Sequence, residues 1–191
     1  MRGAAALLGV SLCVGFWTLP LGAWMGAAFP VHMLRHMGLV AVAAPLLAIG
    51  LPWLRGAFAV PALIGAVVEF VVVWAWHLPG LHAAAQTTGL GFFIEQAMFL
   101  LAGLMIWGGA LAAHPLIGAG AMLLTTMHMT LLGALLTLAP RDLYAAICGR
   151  APNLDGQQVG GLLMLGIGTP VYLFAGLILM ARALDVREAE A

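Results

Sequence analysis

Six long apolar runs, separated by short breaks that carry proline, glycine or charge, constrain this chain more than any other feature of its sequence. A helix that crosses the hydrocarbon core of a bilayer needs roughly 20 mostly apolar residues. The runs approach that length and are continuous rather than alternating, which favours helices over the strands of a membrane barrel. The sequence therefore predicts an all-α, polytopic transmembrane bundle of about six spans. The predicted spans are residues 4–19, 31–49, 58–76, 92–112, 116–138 and 160–183.

The composition supports the same class of protein. Of the 191 residues, 64% are hydrophobic and only 7% are charged, whereas soluble domains carry about 25% charged residues. The formal net charge is zero and there is no basic run, so the expected surroundings are membrane lipid and nucleic acid is not an expected partner. No internal repeat interrupts the pattern, and the whole chain, 1–191, is interpreted as one transmembrane domain.

The arginines predict the orientation, because loops on the cytoplasmic side carry the excess of basic residues. If both termini are cytoplasmic, the inner side holds more arginines than the outer side. The inner arginines are Arg2, Arg55, Arg182 and Arg187, and the outer ones are Arg141 and Arg150. An alternative is that the first run is a signal peptide, since Arg2 precedes it and small residues follow at Ala27 and Ala28. The other five spans then keep the same sidedness.

Five of the six histidines and one glutamate fall in the predicted outer half of the bundle. Ionisable groups are costly inside a membrane, and they usually line a functional interior or pair with one another. His32 and His36 are four residues apart on one helix face, so both can bind a single ion. Imidazole together with nearby methionine thioethers suits Cu(I) better than it suits oxygen-preferring ions. The candidate metal ligands are His32, Met33, His36, Met37, His77, His82, Glu95 and His128.

Several of these side chains also have a simpler interpretation. Methionine is a common gap-filler in apolar cores, and core packing is the expectation for Met127 and Met129. For His82 and His114 the expectation is a hydrogen bond to a neighbouring helix.

Two charges inside predicted spans suggest an ion pair. Arg35 and Glu69 lie on consecutive spans at similar predicted depth. A lone charge at the bilayer centre costs about 2.5–3.5 kcal/mol on insertion scales. We therefore expect these two side chains to pair.

The other reactive side chains give no sign of catalysis. No nucleophilic triad, Walker loop, dinucleotide fingerprint or CxxC motif is present, so an enzyme is not expected. Asp142 and Asp155 lie in a turn-rich outer loop and are expected to be solvated or to cap a turn or helix. Cys13 and Cys148 fall at different predicted depths, so no disulfide is expected between them.

Several stretches, taken together, resemble one family, the CtaG-type cytochrome c oxidase assembly factors. They occur in the family's order and cover most of the chain after residue 30. The stretches are HMLRHMGLVAVAAPLLAIGLP from His32, WHLPGLH from Trp76, FFIEQAMFLLAGLMIW from Phe92, HMTLLGALLTLAPRDLY from His128 and DGQQVGGLLMLGIGTPVYL from Asp155.

The resemblance implies a multi-pass protein of the bacterial inner membrane that assembles a haem–copper cytochrome c oxidase. It implies a metallochaperone that delivers Cu(I) to the active-site copper from the periplasmic side. The partner would be the catalytic subunit of the oxidase or a copper donor protein. Gln96 and His82 depart from the family pattern, which has histidine and tyrosine there, and His82 is a candidate substitute for the missing histidine. The family's histidines and acidic residue correspond to His32, His36, His77, His128 and Glu95.

Two other functions stay open at this point. Two histidines on facing helices, such as His36 and His128, can bind haem iron axially, which would make the chain a membrane electron-transfer protein. A metal-free scaffold or transporter would use the same polar cluster as a hydrogen-bond network between helices. Self-association of the chain is compatible with each of these functions.

Overall fold

A computed structural model describes the backbone of residues 1–190 and the side chains of residues 1–185. The side chain of Arg187, one of the predicted inner arginines, lies outside the described residues. The described chain is helical, which confirms the predicted all-α class. The helices are α1 (Arg2–Thr18), α2 (Leu21–Met25), α3 (Ala28–Gly50), α4 (Pro52–Phe58), α5 (Ala62–Trp76), α6 (Pro79–Thr87), α7 (Gly89–Ala112), α8 (Pro115–Leu138) and α9, which continues from Leu154–Leu163 through Met164–Gly168 into Thr169–Glu190.

Four helices in the described residues, α3, α7, α8 and α9, are long and apolar enough to cross a membrane. The pair α4–α5 makes a fifth if it is counted as one span, although the two helices meet at an angle of 80°. The predicted third span, 58–76, therefore differs from the structure, in which Phe58 ends α4 and α5 begins only after Pro61. α1 has 17 residues, which is short for a full crossing. The count of six spans stays a prediction.

The centre of the bundle is formed by α3 and α7. α3 packs against α1, α7 and α9, and α7 also packs against α4, α5, α6 and α8. Small residues allow helices to approach closely in a membrane. A Cβ added at Gly65 of α5 would lie 2.9 Å from Cα of Ile106 on α7, and one at Gly103 of α7 would lie 3.1 Å from Cα of Val40 on α3. These contacts fix the faces that α5 and α3 turn towards α7.

Two helices contain a wide π-type turn shortly before a proline. The turns and their prolines are Gly38–Ala43 with Pro45 in α3, and Met164–Gly168 with Pro170 in α9. Because Pro45 has no N–H, the carbonyl five residues earlier in the wide turn has no backbone donor. That carbonyl belongs to Val40, and it accepts hydrogen bonds from Trp107 Nε1 at 2.9 Å and from the Tyr172 hydroxyl at 3.1 Å. The turn therefore ties α3 to both α7 and α9.

The loop between α8 and α9, residues 139–153, is organised by Asp142. Its carboxylate accepts hydrogen bonds from the backbone N–H of Tyr144 and of Asn153, both at 2.9 Å, and pairs with Arg150 at 2.9 Å. Burial by itself raises the pKa of Asp142, but the Asn153 and Tyr144 donors and the Arg150 charge outweigh it and hold that pKa below its ordinary value. The expectation that Asp142 caps a turn is confirmed.

Candidate metal site

Two groups of three side chains that can hold a metal ion meet at the end of the bundle where α3 begins. His32 and His36 of α3 join His77, which follows α5, and we call this group the histidine triad. His32 also joins His82 of α6 and Glu95 of α7, and we call this group the mixed triad. Within each triad, one ligand atom of every residue lies within 4.8 Å of the other two. His32 therefore belongs to both triads, which together use α3, α5, α6 and α7.

The local sequence explains how α3 and its neighbours present these imidazoles. His32 and His36 are one turn apart, with ring centroids 6.3 Å from each other. α5 ends just before His77 because Pro79 starts the next helix, which brings His82 one turn into α6. The ring of His32 then lies 5.5 Å from that of His77 and 4.7 Å from that of His82.

His77 presents a single unprotonated nitrogen to the cluster. Its Nδ1 lies 2.6 Å from the carbonyl oxygen of Val73, so Nδ1 carries the proton and donates it to that carbonyl. Nε2 then keeps its lone pair, and it is buried without a hydrogen-bond partner among the described residues. A backbone carbonyl that fixes the tautomer in this way is typical of metal-binding histidines.

The cluster is buried, yet many of its polar atoms have no hydrogen-bond partner in the described part of the chain. These atoms include both ring nitrogens of His32 and of His36, Nδ1 of His82 and Oε1 of Glu95. A buried polar atom without a partner costs about 1–3 kcal/mol, so a bound ion would stabilise the cluster. Imidazole nitrogens with one carboxylate oxygen are ligands that suit copper or zinc.

Glu95 is positioned by His32 and Gln96. Its Oε2 lies 3.4 Å from Nδ1 of His32 and accepts a hydrogen bond from Nε2 of Gln96 at 3.0 Å. Gln96 thus orients the carboxylate of its neighbour in sequence. His82 lies beside the same carboxylate, and burial lowers its pKa far below the ordinary histidine value. The His82 ring is therefore neutral and able to donate a lone pair.

Aromatic rings enclose the imidazoles. Phe99 of α7 stacks on His36 with ring centroids 4.1 Å apart. The ring of Tyr144, from the α8–α9 loop, lies 4.3 Å from that of His82. The Tyr144 hydroxyl also donates a hydrogen bond to the backbone carbonyl of His77 at 3.0 Å. These contacts hold the loop against the cluster and limit the access of water.

A second buried polar network lies around Glu69 of α5, and we call it the Glu69 network. The Tyr172 hydroxyl shares its single proton between two acceptors, Oε1 of Glu69 and the carbonyl of Val40. The same carbonyl accepts from Trp107. The network therefore joins four helices, α3, α5, α7 and α9.

The predicted ion pair between Arg35 and Glu69 is wrong. Nε of Arg35 donates to the carbonyl of Phe16 on α1 at 2.9 Å, and its guanidinium carbon lies 5.3 Å from the centre of the Phe92 ring. Tyr172 places Glu69 level with Val40, which is five residues, or about 7.5 Å, farther along α3 than Arg35. The two charges thus lie at different depths and contact different helices.

A family model for the cytochrome c oxidase caa3 assembly factor matches residues 1–185 of the chain. The chain belongs to this family. The resemblance expected from the sequence is therefore confirmed, and so is a function in cytochrome c oxidase assembly as a property of the family. Comparison with curated proteins and with solved structures finds no match.

Three predicted ligands of this assembly factor lie outside the two triads. The ring of His128 on α8 lies 5.3 Å from that of Phe70 and lines an apolar cavity of about 570 Å³, because α8 packs on α5, α7 and α9. Met33 and Met37 contact α9. A Cβ added at Gly160 of α9 would lie 3.1 Å from Cγ of Met33, and one added at Gly168 of α9 would lie 2.9 Å from Sδ of Met37.

The simpler expectations for the remaining histidines and methionines have mixed outcomes. Met129 is fully buried, as expected, but Met127 is 69% exposed on the outer surface of α8, so its expected core packing is wrong. His114 caps its own helix, with Nδ1 accepting from the backbone N–H of Leu116 at 3.3 Å. The expected bond from His114 to a neighbouring helix is therefore wrong.

Tyr144 and Gln96 contribute to the site in the assembly factor but were not predicted from the sequence. A signal for Tyr144 was available, because the chain has only two tyrosines and a buried tyrosine hydroxyl usually has a hydrogen-bond partner. Both tyrosines bond to a buried polar region, Tyr144 at His77 and Tyr172 at Glu69. Gln96 was seen only as a departure from the family pattern, and its position next to a buried glutamate was the available signal.

Proposed function

We propose that this assembly factor binds Cu(I) at the two triads and delivers it to the catalytic subunit of a haem–copper cytochrome c oxidase. The observation that carries the proposal is His32, which is shared by two ligand groups and whose own two ring nitrogens have no hydrogen-bond partner in the described residues. Membership of an oxidase assembly family supports the choice of copper as cargo. Delivery of an ion converts no substrate, which agrees with the expectation that this chain is not an enzyme.

Overlapping triads favour transfer over permanent binding. An ion held by His36, His32 and His77 can exchange ligands for His82 and Glu95 one at a time, because His32 stays bound throughout. No step then leaves the ion without protein ligands. A single closed cage of strong ligands would hold copper more tightly but would release it slowly.

The predicted orientation places the two triads on the periplasmic side of the bacterial inner membrane. Support comes from the arginine distribution and from the assembly of both triads at one end of the bundle. Delivery would then occur to an oxidase subunit in the same membrane, with copper received from a periplasmic donor protein.

The test is Cu(I) bound per chain, measured by anaerobic competition with a chromophoric chelator in detergent. The variants are wild type, the double substitution His32→Ala, His36→Ala, and His114→Ala as a control histidine outside both triads. We expect about one tightly bound copper for wild type and for His114→Ala, and a loss of at least 100-fold in affinity for the double variant.

Three results would contradict the proposal. Equal copper binding by the folded double variant would place the ligands elsewhere. A Soret band in purified wild type, lost in a His36→Ala, His128→Ala variant, would favour the haem-binding electron-transfer alternative. Absence of both metal and haem would leave a scaffold in oxidase assembly.

A further inference from the structure

A cavity of about 150 Å³ lies beside the mixed triad, between the start of α3, helix α6 and the α8–α9 loop. Its lining includes His82, Cys148 and Arg150. His82 is thus both a wall of this cavity and a member of the mixed triad. The cavity therefore adjoins the candidate metal site at His82.

Two independent features of this cavity suit a soft metal ion. Cys148 is a free, half-buried thiol, and sulfur is the donor that Cu(I) prefers. His82 is only 2% exposed, and its Nδ1 has no hydrogen-bond partner within the described residues. The thiol and the imidazole that line this small cavity are donors of the kind that Cu(I) accepts.

The α8–α9 loop holds the thiol in place. The backbone N–H of Cys148 donates to the carbonyl of Tyr144 at 2.9 Å, and the Tyr144 ring contacts His82. Arg150 pairs with Asp142 and also lines the cavity. Burial raises the pKa of the Cys148 thiol and outweighs the opposing charge of Arg150, so the thiol loses its proton only when a metal ion binds to the sulfur.

We infer that Cys148 and His82 form a capture site, at which incoming Cu(I) binds before it passes to the mixed triad and then to the histidine triad. This inference rests on the proposed copper function. On capture a Cu–S bond forms, the thiol proton passes to water, and the ligand brought by the copper donor leaves. On transfer the Cu–S bond breaks as Cu–N and Cu–O bonds to His32 and Glu95 form, and the thiolate regains a proton. Copper remains Cu(I) throughout, so neither an oxidant nor a reductant takes part.

The experiment measures the rate of copper loading separately from the amount bound. The full chain in detergent is mixed anaerobically with a Cu(I)–chelator complex, and the loss of chelator colour is followed by stopped flow. The variants are Cys148→Ser and, as a matched control, Cys13→Ser, whose thiol is buried at α1 away from the cavity. We expect Cys148→Ser to load at least 10-fold more slowly than wild type with the same final stoichiometry, and Cys13→Ser to behave as wild type.

Each other result overturns the capture site. An unchanged loading rate for Cys148→Ser excludes a part for the thiol. Slow loading with a lower final stoichiometry makes Cys148 a ligand of the final site. If wild type binds no copper at all, the proposed function fails, and this outcome is distinct from a normal wild type with an unaffected Cys148→Ser.

A second measurement uses the double variant His32→Ala, His36→Ala, which lacks the ligands that follow the capture site. Copper should then remain at Cys148, so Cu(I) should slow alkylation of that thiol by a maleimide at least 10-fold. Alkylation at the same rate with and without Cu(I), in protein shown to be folded, would also overturn the inference.

Discussion

The triads and the Glu69 network are both buried polar regions of one apolar bundle, but they differ in how well their atoms are paired. In the Glu69 network the Tyr172 hydroxyl, Trp107 Nε1 and the Val40 carbonyl bond to one another or to Glu69, and Oε2 of Glu69 has no partner in the described residues. In the triads both ring nitrogens of His32 and of His36, together with Nε2 of His77 and Nδ1 of His82, lack a partner there. Because an unpaired buried atom is costly, the mostly paired network is explained by the stability of the bundle, whereas the cluster with many unpaired nitrogens needs a ligand to explain it.

The largest expected effect is on Cu(I) affinity, and it should differ between the members of the two triads. His32→Ala removes a ligand from both triads, and we expect it to lower Cu(I) affinity about 100-fold or more. His36→Ala and His82→Ala each leave one triad complete, so a loss of about 10-fold is expected for each. Chelator competition measures all three, and equal losses would show a single site in which every ligand counts alike.

An effect of intermediate size is expected for substitutions in the Glu69 network, which should lower the stability of the protein and leave its copper affinity unchanged. Tyr172→Phe leaves Glu69 without its donor, and the free energy of unfolding should fall by about 1–3 kcal/mol. Glu69→Gln, which keeps an acceptor for Tyr172, should cost less. Unfolding in mixed detergent micelles measures the loss, and copper affinity should stay at the wild-type value. A lower copper affinity in folded Tyr172→Phe would mean that the two regions are coupled and would remove the contrast between them.

The smallest effect is expected for the two methionines next to the histidines in sequence. Met33 and Met37 contact α9, so Met33→Leu and Met37→Leu should leave Cu(I) affinity unchanged. Their cost in stability should stay below about 1.5 kcal/mol, since the volumes are similar. The same chelator competition measures the affinity, and a clear loss in either variant would restore the thioethers as copper ligands.

Part of the site could be predicted because the spacing of two residues along a helix determines whether their side chains share a face. The pair at His32 and His36 follows from four-residue spacing on any helix, and the structure places both in the histidine triad. His77 and Glu95 were candidates because they follow or open apolar runs at the same predicted end of the bundle. His128 met the same test of depth but lies outside both triads, beside Phe70. Depth alone therefore could not predict which side chains the structure brings within 4.8 Å of one another.

The Arg35 prediction failed for a related reason. The sequence places Arg35 and Glu69 at similar depth only if the outer ends of the two helices lie level with each other. In the structure Tyr172 joins Glu69 to the carbonyl of Val40, five residues beyond Arg35 on α3, and Arg35 turns to Phe16 on α1. Each residue of helix moves a side chain by about 1.5 Å along the axis and about 100° around it. A shift of a few residues between two helices therefore changes both the relative depth and the facing direction of a charge.

The sequence by itself determined the membrane class, the helical fold and the polar residues available for a site, because the hydrocarbon core admits only long apolar segments with paired backbones. Only the tertiary structure decided which of those residues meet. The rotation of each helix about its axis depends on packing with several neighbours, such as Gly65 on Ile106. The break between α4 and α5 and the wide turn before Pro45 add changes of direction that no single segment specifies. Those contacts bring His77, His82 and Glu95 to His32 and leave His128 beside Phe70, outside both triads.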